Sequence, residues 1–301
     1  MLGLGLVVYF VQRAGPSKVL AALRAAGPYA PLLAGLEAVA IACDVKAFAS
    51  LLGPEAALVS LRNWLRSTGA AYGCFALVPA GRAASEVARA SFIAPDVGVV
   101  RAATAGAQLQ AAALAADGVA SAACVLALGA FGVQGHHLPA LLSGNAVLTL
   151  GSGVGLLYLI RHRRFAARVS ARFPRFFAGL TASELMPRTL GVTACCWGLL
   201  GRAAQALGYG VAVLAMSGRF SVRAMAVAYG VHAVAATVGV GIPIQLGVAD
   251  GAYLLFADTL GFQSDPARAL AVMFSIRVTQ VALAVVGLLV PVVVRRGRGD
   301  P

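Results

Sequence analysis

The chain has 301 residues, 60% of them hydrophobic and only 12% charged, with a mean hydropathy of +0.85. Soluble domains carry about a quarter charged residues, so this composition excludes an ordinary soluble fold and points to a polytopic membrane protein. The formal net charge of +13 comes from 24 basic and 11 acidic residues, and the bases fall mostly between apolar runs, which makes them loop charges and not a nucleic-acid surface.

Apolar windows of about 20 residues, enough to span a bilayer as helix, recur along the whole length. Residues 1–301 are therefore expected to form a single all-α transmembrane domain of about 8–9 membrane helices. The first run, 1–12, is short and lacks a basic leader or a small-residue cleavage site, so no removed signal peptide is expected. A basic linker follows, then a run over 29–52 holding Glu37, Asp44 and Lys46, with Glu37 and Asp44 seven apart on one helix face. A third run covers 58–80. The polar stretch after it, with Pro79, Arg82, Ser85, Glu86 and Arg89, reads as a turn and short helix carrying a charged cluster at the membrane boundary. The fourth run, 108–133, holds Asp117, and His136 and His137 follow in a turn that offers no third metal ligand.

Gly151 and Gly155, in a fifth run over 138–160, suit close helix packing better than a phosphate loop, because the Lys-Ser/Thr that such a loop needs is missing. From 161 to 188 the sequence alternates arginines with Phe165, Val169, Phe173, Phe176, Phe177 and Leu180, the pattern of a helix lying in the interface against anionic head groups. Runs over 190–216 with Arg202 and 222–241 with His232 lead to Pro243, Gly247 and Gly251. Proline and glycine there should end one helix near Gly241 and start another near Leu246, leaving Asp250 in the first turn of the new one. An apolar segment with Asp258 and a last run over 269–294 with Arg277 complete the chain. With a cytoplasmic C-terminus, loop arginines concentrate inside, and Arg62, Arg66, Arg219, Arg223 and Arg268 fall outside. The five cysteines sit in apolar runs without metal or disulfide spacing, so no cofactor or metal is expected.

Ionisable side chains inside hydrocarbon normally face a cavity or one another. Asp250, Arg202 and Arg277 beside a broken helix, with Glu37, Asp44 and Asp117 on other runs, are therefore the candidate lining of a polar head-group chamber. Three stretches together resemble the lysylphosphatidylglycerol synthase transmembrane family of flippase-like proteins: 78–89, 217–225, and Pro243 to Tyr253 with Gly261 and Arg277. Asp250 stands where many relatives carry Glu, and Gly247 stands for a glycine pair. The run from Gly247 to Leu255 is most similar to a branch associated with hopanoid biosynthesis. The resemblance implies a multi-pass inner-membrane protein that moves lipid between leaflets, with an anionic, polyprenyl or hopanoid lipid as its partner and lipid-biosynthesis enzymes as possible neighbours. No segment matches the soluble aminoacyl-transfer domain of large relatives, so that activity is not expected. The alternatives are a membrane enzyme of polyprenyl or hopanoid metabolism using Asp44, Asp117 or Glu86 as acid and base, and a scaffold for a lipid-synthesis complex.

Overall fold

The computed structural model describes residues 2–133, 137–162, 168 and 188–296, and all its regular structure among them is helical. In chain order the α-helices are α1 (Leu2–Ala14), α2 (Pro16–Ala26), α3 (Ala30–Leu52), α4 (Leu61–Leu77), α5 (Gly81–Val97), α6 (Val99–Ala130), α7 (His137–Arg161), α8 (Arg188–Ser217), α9 (Val222–Val238), α10 (Val248–Leu255) and α11 (Pro266–Arg296). Four stretches, Val99–Ala130, His137–Ile160, Gly191–Ser217 and Pro266–Val294, are long and apolar enough to cross a membrane. Large apolar side chains stand exposed along them, Leu126, Val147, Val154, Val278 and Val293 among others, as expected of helices whose outer surface meets lipid.

Several sequence boundaries shift. The basic linker after the first run is itself helix α2, opened by Pro16 at its first position. The fourth run begins nine residues earlier than its apolar window, at Val99 in place of Gln108, because the polar side chains over 101–110 pack inward on other helices. Arg101 shows how: it donates to the Leu51 and Leu52 carbonyls at the end of α3 and pairs with Glu55. Asp258 lies exposed in turns after α10 and not inside an apolar helix. The interfacial segment expected over 161–188 and His136 fall almost wholly outside the described residues; His137 opens α7.

The helices build two apolar cores, one toward each end of the long helices. The first joins Phe48 and Leu51 of α3, Ile93 of α5, Ala102 of α6 and Ala194 of α8. The second joins Leu128 of α6, Leu142 of α7, Met216 of α8, Val227 of α9 and Ala269 of α11.

Between these ends sit two helical hairpins of opposite sense. In the first, α4 and α5 leave from the first core; Asp96 near the end of α5 accepts from the Ser60 and Asn63 amide groups at the start of α4, which ties the open end shut. Its turn, residues 78–80, lies beside the middle of α6. In the second, α9 and α10 leave from the other core, where Arg268 of α11 donates to the Met216 carbonyl of α8. Tyr253 of α10 donates to the Ala228 carbonyl of α9 at 2.8 Å and holds that pair together.

Close backbone contact fixes the bundle. A β-carbon added at Gly69 of α4 would sit 2.3 Å from the Gly287 carbonyl oxygen of α11. Gly69→Ala is therefore expected to force these helices apart at a cost of about 1–3 kcal/mol, read as a lower unfolding midpoint in detergent; an unchanged midpoint would mean that the two backbones are not in contact. The packing glycine of α7 is Gly153, whose added β-carbon would meet the Ala111 and Ala115 backbone of α6. Gly151 and Gly155, expected in that role, have nothing within 4 Å, because the inward face of α7 lies two positions off the one that their spacing suggests.

Candidate functional site

The sequence break at Pro243 forms as expected and is strained. After α9 a single 3-10 turn, Pro243–Gln245, leads to Gly247 at the start of α10. Ile244 and Gln245 have φ of 48° and 51°, a region that costs L-residues about 1–3 kcal/mol and is rare for a β-branched side chain. Gly247, at φ 82°, takes its left-handed turn without a β-carbon penalty.

One buried ion pair holds this segment. Asp250 is 0% exposed and Arg277 6%. Arg277 Nη1 donates to Asp250 Oδ1 at 2.8 Å, and its Nη2 donates to the Ile244 carbonyl at 3.3 Å. The other Asp250 oxygen accepts from the Gly247 amide at 2.8 Å, which caps the positive end of α10. Asp250, Arg277, Pro243 and Gly247 thus come together, but as a clamp behind the break: neither Asp250 nor Arg277 lines the cavities described below.

In front of the break lies a cavity of about 400 Å³. The turns of both hairpins reach it, Val78 and Arg82 from the first and Ile242, Ile244 and Gln245 from the second. Its charged element is a triad. Asp117 of α6 takes Arg82 of α5 on one oxygen at 2.8 Å and Arg202 of α8 on the other at 2.5 Å. Arg202 also donates to Gln205 at 2.9 Å. Amide and hydroxyl side chains of Asn145, Thr149, Gln205 and Gln280 add neutral polarity, and apolar residues make up most of the remaining wall. Two guanidiniums on one carboxylate leave the triad with an excess positive charge, suited to a phosphate or other anion.

Behind the triad is a smaller chamber of about 70 Å³ holding Glu37 and Asp44 of α3 and Glu86 and Arg89 of α5. Glu37 and Asp44 share it as their spacing requires. Arg82, Glu86 and Arg89 form the inward stripe of α5, so the charged cluster expected at a membrane boundary sits inside the bundle; of that motif only Pro79 is exposed, in the turn. The helix expected there as short runs for seventeen continuous residues, Gly81–Val97, and so carries the stripe past α3 and α6. Lys46 is exposed and takes no part.

Tyr72, Gln110, Gln205, Tyr229 and Gln280 also line these spaces, and sequence reasoning passed over them. A signal was present, since amide side chains inside apolar runs are as much in need of partners as charged ones. Compared with protein-family models, curated proteins and solved structures, this chain has no match.

Proposed function

We propose that this protein is a lipid flippase of the cell inner membrane whose central cavity takes the head group of an anionic lipid while the acyl or prenyl part stays among the outward apolar side chains. The observation that carries this reading is the 400 Å³ cavity bounded by two interrupted helical hairpins, with Arg82 and Arg202 at its wall. Non-helical backbone is tolerated at membrane depth where it lines a polar cavity, and half-helix ends at such places serve solute sites in transporters.

In this reading α3, α6, α7, α8 and α11 span, and α4–α5 and α9–α10 enter from opposite faces and turn back, which gives nine membrane-embedded helices. The members of each hairpin, 17 and 17 residues in the first and 17 and 8 in the second, are short for a span. With the C-terminus cytoplasmic, Arg62, Arg66 and Arg101 then fall inside with the arginines of 161–188, in keeping with the positive-inside rule. Against the enzyme alternative, both oxygens of Asp117 are held by arginines and are not free for acid/base work.

The test is leaflet exchange of a trace of fluorescent phosphatidylglycerol in phosphatidylcholine proteoliposomes. Native protein is expected to speed exchange well above empty vesicles, and Arg202→Gln is expected to remove about tenfold or more of that rate, the worth of one charge-assisted hydrogen bond. Exchange equal in empty, native and variant vesicles defeats the proposal. Conversion of the labelled lipid to a new product would favour the enzyme.

A further inference from the structure

Glu37 is set apart from the other buried charges by its partners. It is 8% exposed, and among the described residues no cation contacts it. Tyr72 of α4 donates to its Oε1 at 2.7 Å and Gln280 of α11 donates to the same oxygen at 3.5 Å, while Oε2 makes no hydrogen bond to any described residue. A buried carboxylate held only by neutral donors can carry a proton at far lower cost than one clasped by arginine, as Asp117 and Asp250 are.

Polar space opens on both sides of it. On one side is the 70 Å³ chamber, large enough for several waters. Across that chamber Arg89, 6% exposed and stacked over Phe48, forms an ion pair with Glu86 Oε2 at 3.5 Å and has its Nη1 without a hydrogen-bond partner among the described residues. Asp44 faces the same space, and Arg82 and Arg202 close its wall. On the other side Glu37 borders a void of about 10 Å³, the room of a single water. Two residues with orphaned buried groups among the described residues line it: Tyr209, 2% exposed, whose hydroxyl has no hydrogen-bond partner, and His232, whose Nδ1 has none and whose ring stacks on Tyr209 at 4.7 Å. His232 and Gln280 line the central cavity as well, so these two side chains stand between the void and it.

We infer that Glu37 is a proton-binding site through which proton movement is coupled to lipid movement, the proton passing between chamber water and the central cavity by way of Tyr209 and His232. A proton arriving from the chamber goes onto the free Oε2; on release it goes to water in the small void, where the Tyr209 hydroxyl and His232 Nδ1 supply the donor and acceptor such a water needs. Arg82 and Arg202 of the triad line both larger spaces, which puts the charge state of Glu37 one side chain away from the anion site. The coupling rests on the transport reading above; the proton site itself does not.

Two measurements separate them. In proteoliposomes with a one-unit pH gradient, co-transport of one proton with each singly charged phosphatidylglycerol moves no net charge and supports a roughly tenfold ratio of the labelled lipid between leaflets, because one pH unit is one factor of ten. Native protein is expected to reach such a ratio and Glu37→Gln to leave the leaflets even. An even distribution in native vesicles that do exchange lipid, a ratio that survives Glu37→Gln, or a ratio that follows a sodium gradient in place of the pH gradient would overturn the coupling and leave the flippase standing. Independently of any cargo, the infrared C=O band of a protonated carboxyl that titrates in native protein is expected to be missing in Glu37→Gln and shifted in Tyr72→Phe, which removes only the donor hydroxyl. An unaltered band in both variants overturns the proton site, and native vesicles that move no lipid defeat the transport reading alone.

Discussion

Arg277→Ala is expected to be the most destabilising single substitution in the bundle, by about 3–5 kcal/mol, the cost of removing one partner of a buried ion pair. Asp250 would remain 0% exposed with its charge unanswered, and the Ile244 carbonyl would lose its donor at the most strained point of the backbone. Asp250→Ala should cost a similar amount and also leave the Gly247 amide open. The double replacement Asp250→Leu with Arg277→Leu is expected to recover part of the loss, since no lone charge is left, but not all of it, because the Ile244 carbonyl and Gly247 amide each cost about 1–3 kcal/mol when unsatisfied. Unfolding in detergent measures all three. A single variant with the native midpoint would show that the pair does not support the break.

Asp117→Ala should have the next largest effect, and on transport more than on folding. Among the described residues that carboxylate is the one group that pairs with both Arg82 and Arg202, at 2.8 and 2.5 Å. Without it two guanidiniums face each other across the cavity wall, which repels Arg82, and with it the turn of the first hairpin, from α8. Translocation is expected to fall to the level of empty vesicles, a loss of at least tenfold, while Asp117→Glu retains a measurable share. Adding Arg82→Gln to Asp117→Ala removes the repulsion and should restore the unfolding midpoint without restoring transport. A native rate in Asp117→Ala would mean that the triad lies off the route of the lipid.

Much of the helical layout was legible because a membrane helix declares itself locally, by length and hydropathy. The break at Pro243 was legible for the same reason: proline and glycine act on their own backbone. What could not be read was pairing. Nothing along the chain says that Asp117 faces Arg82 and Arg202 while Asp250 faces Arg277, because each match is made by helix rotation and crossing, which single-chain periodicity leaves open. The stripe of Arg82, Glu86 and Arg89, expected as a charged cluster at the membrane boundary, turned inward for a related reason, since its spacing fits a helix facing water and a helix facing a wet interior equally well. The glycine shift from Gly151 and Gly155 to Gly153 is the same ambiguity at smaller scale.

The two hairpins are anchored at opposite ends of the long helices, and the Pro243–Gln245 turn of the second meets α4 of the first. A displacement of the α4–α5 turn would leave the α9–α10 turn where Arg277 and Asp250 hold it, and the reverse displacement would leave the Arg82 side in place. The arrangement resembles an airlock, in which each door hangs on its own frame and neither has to swing for the other to open.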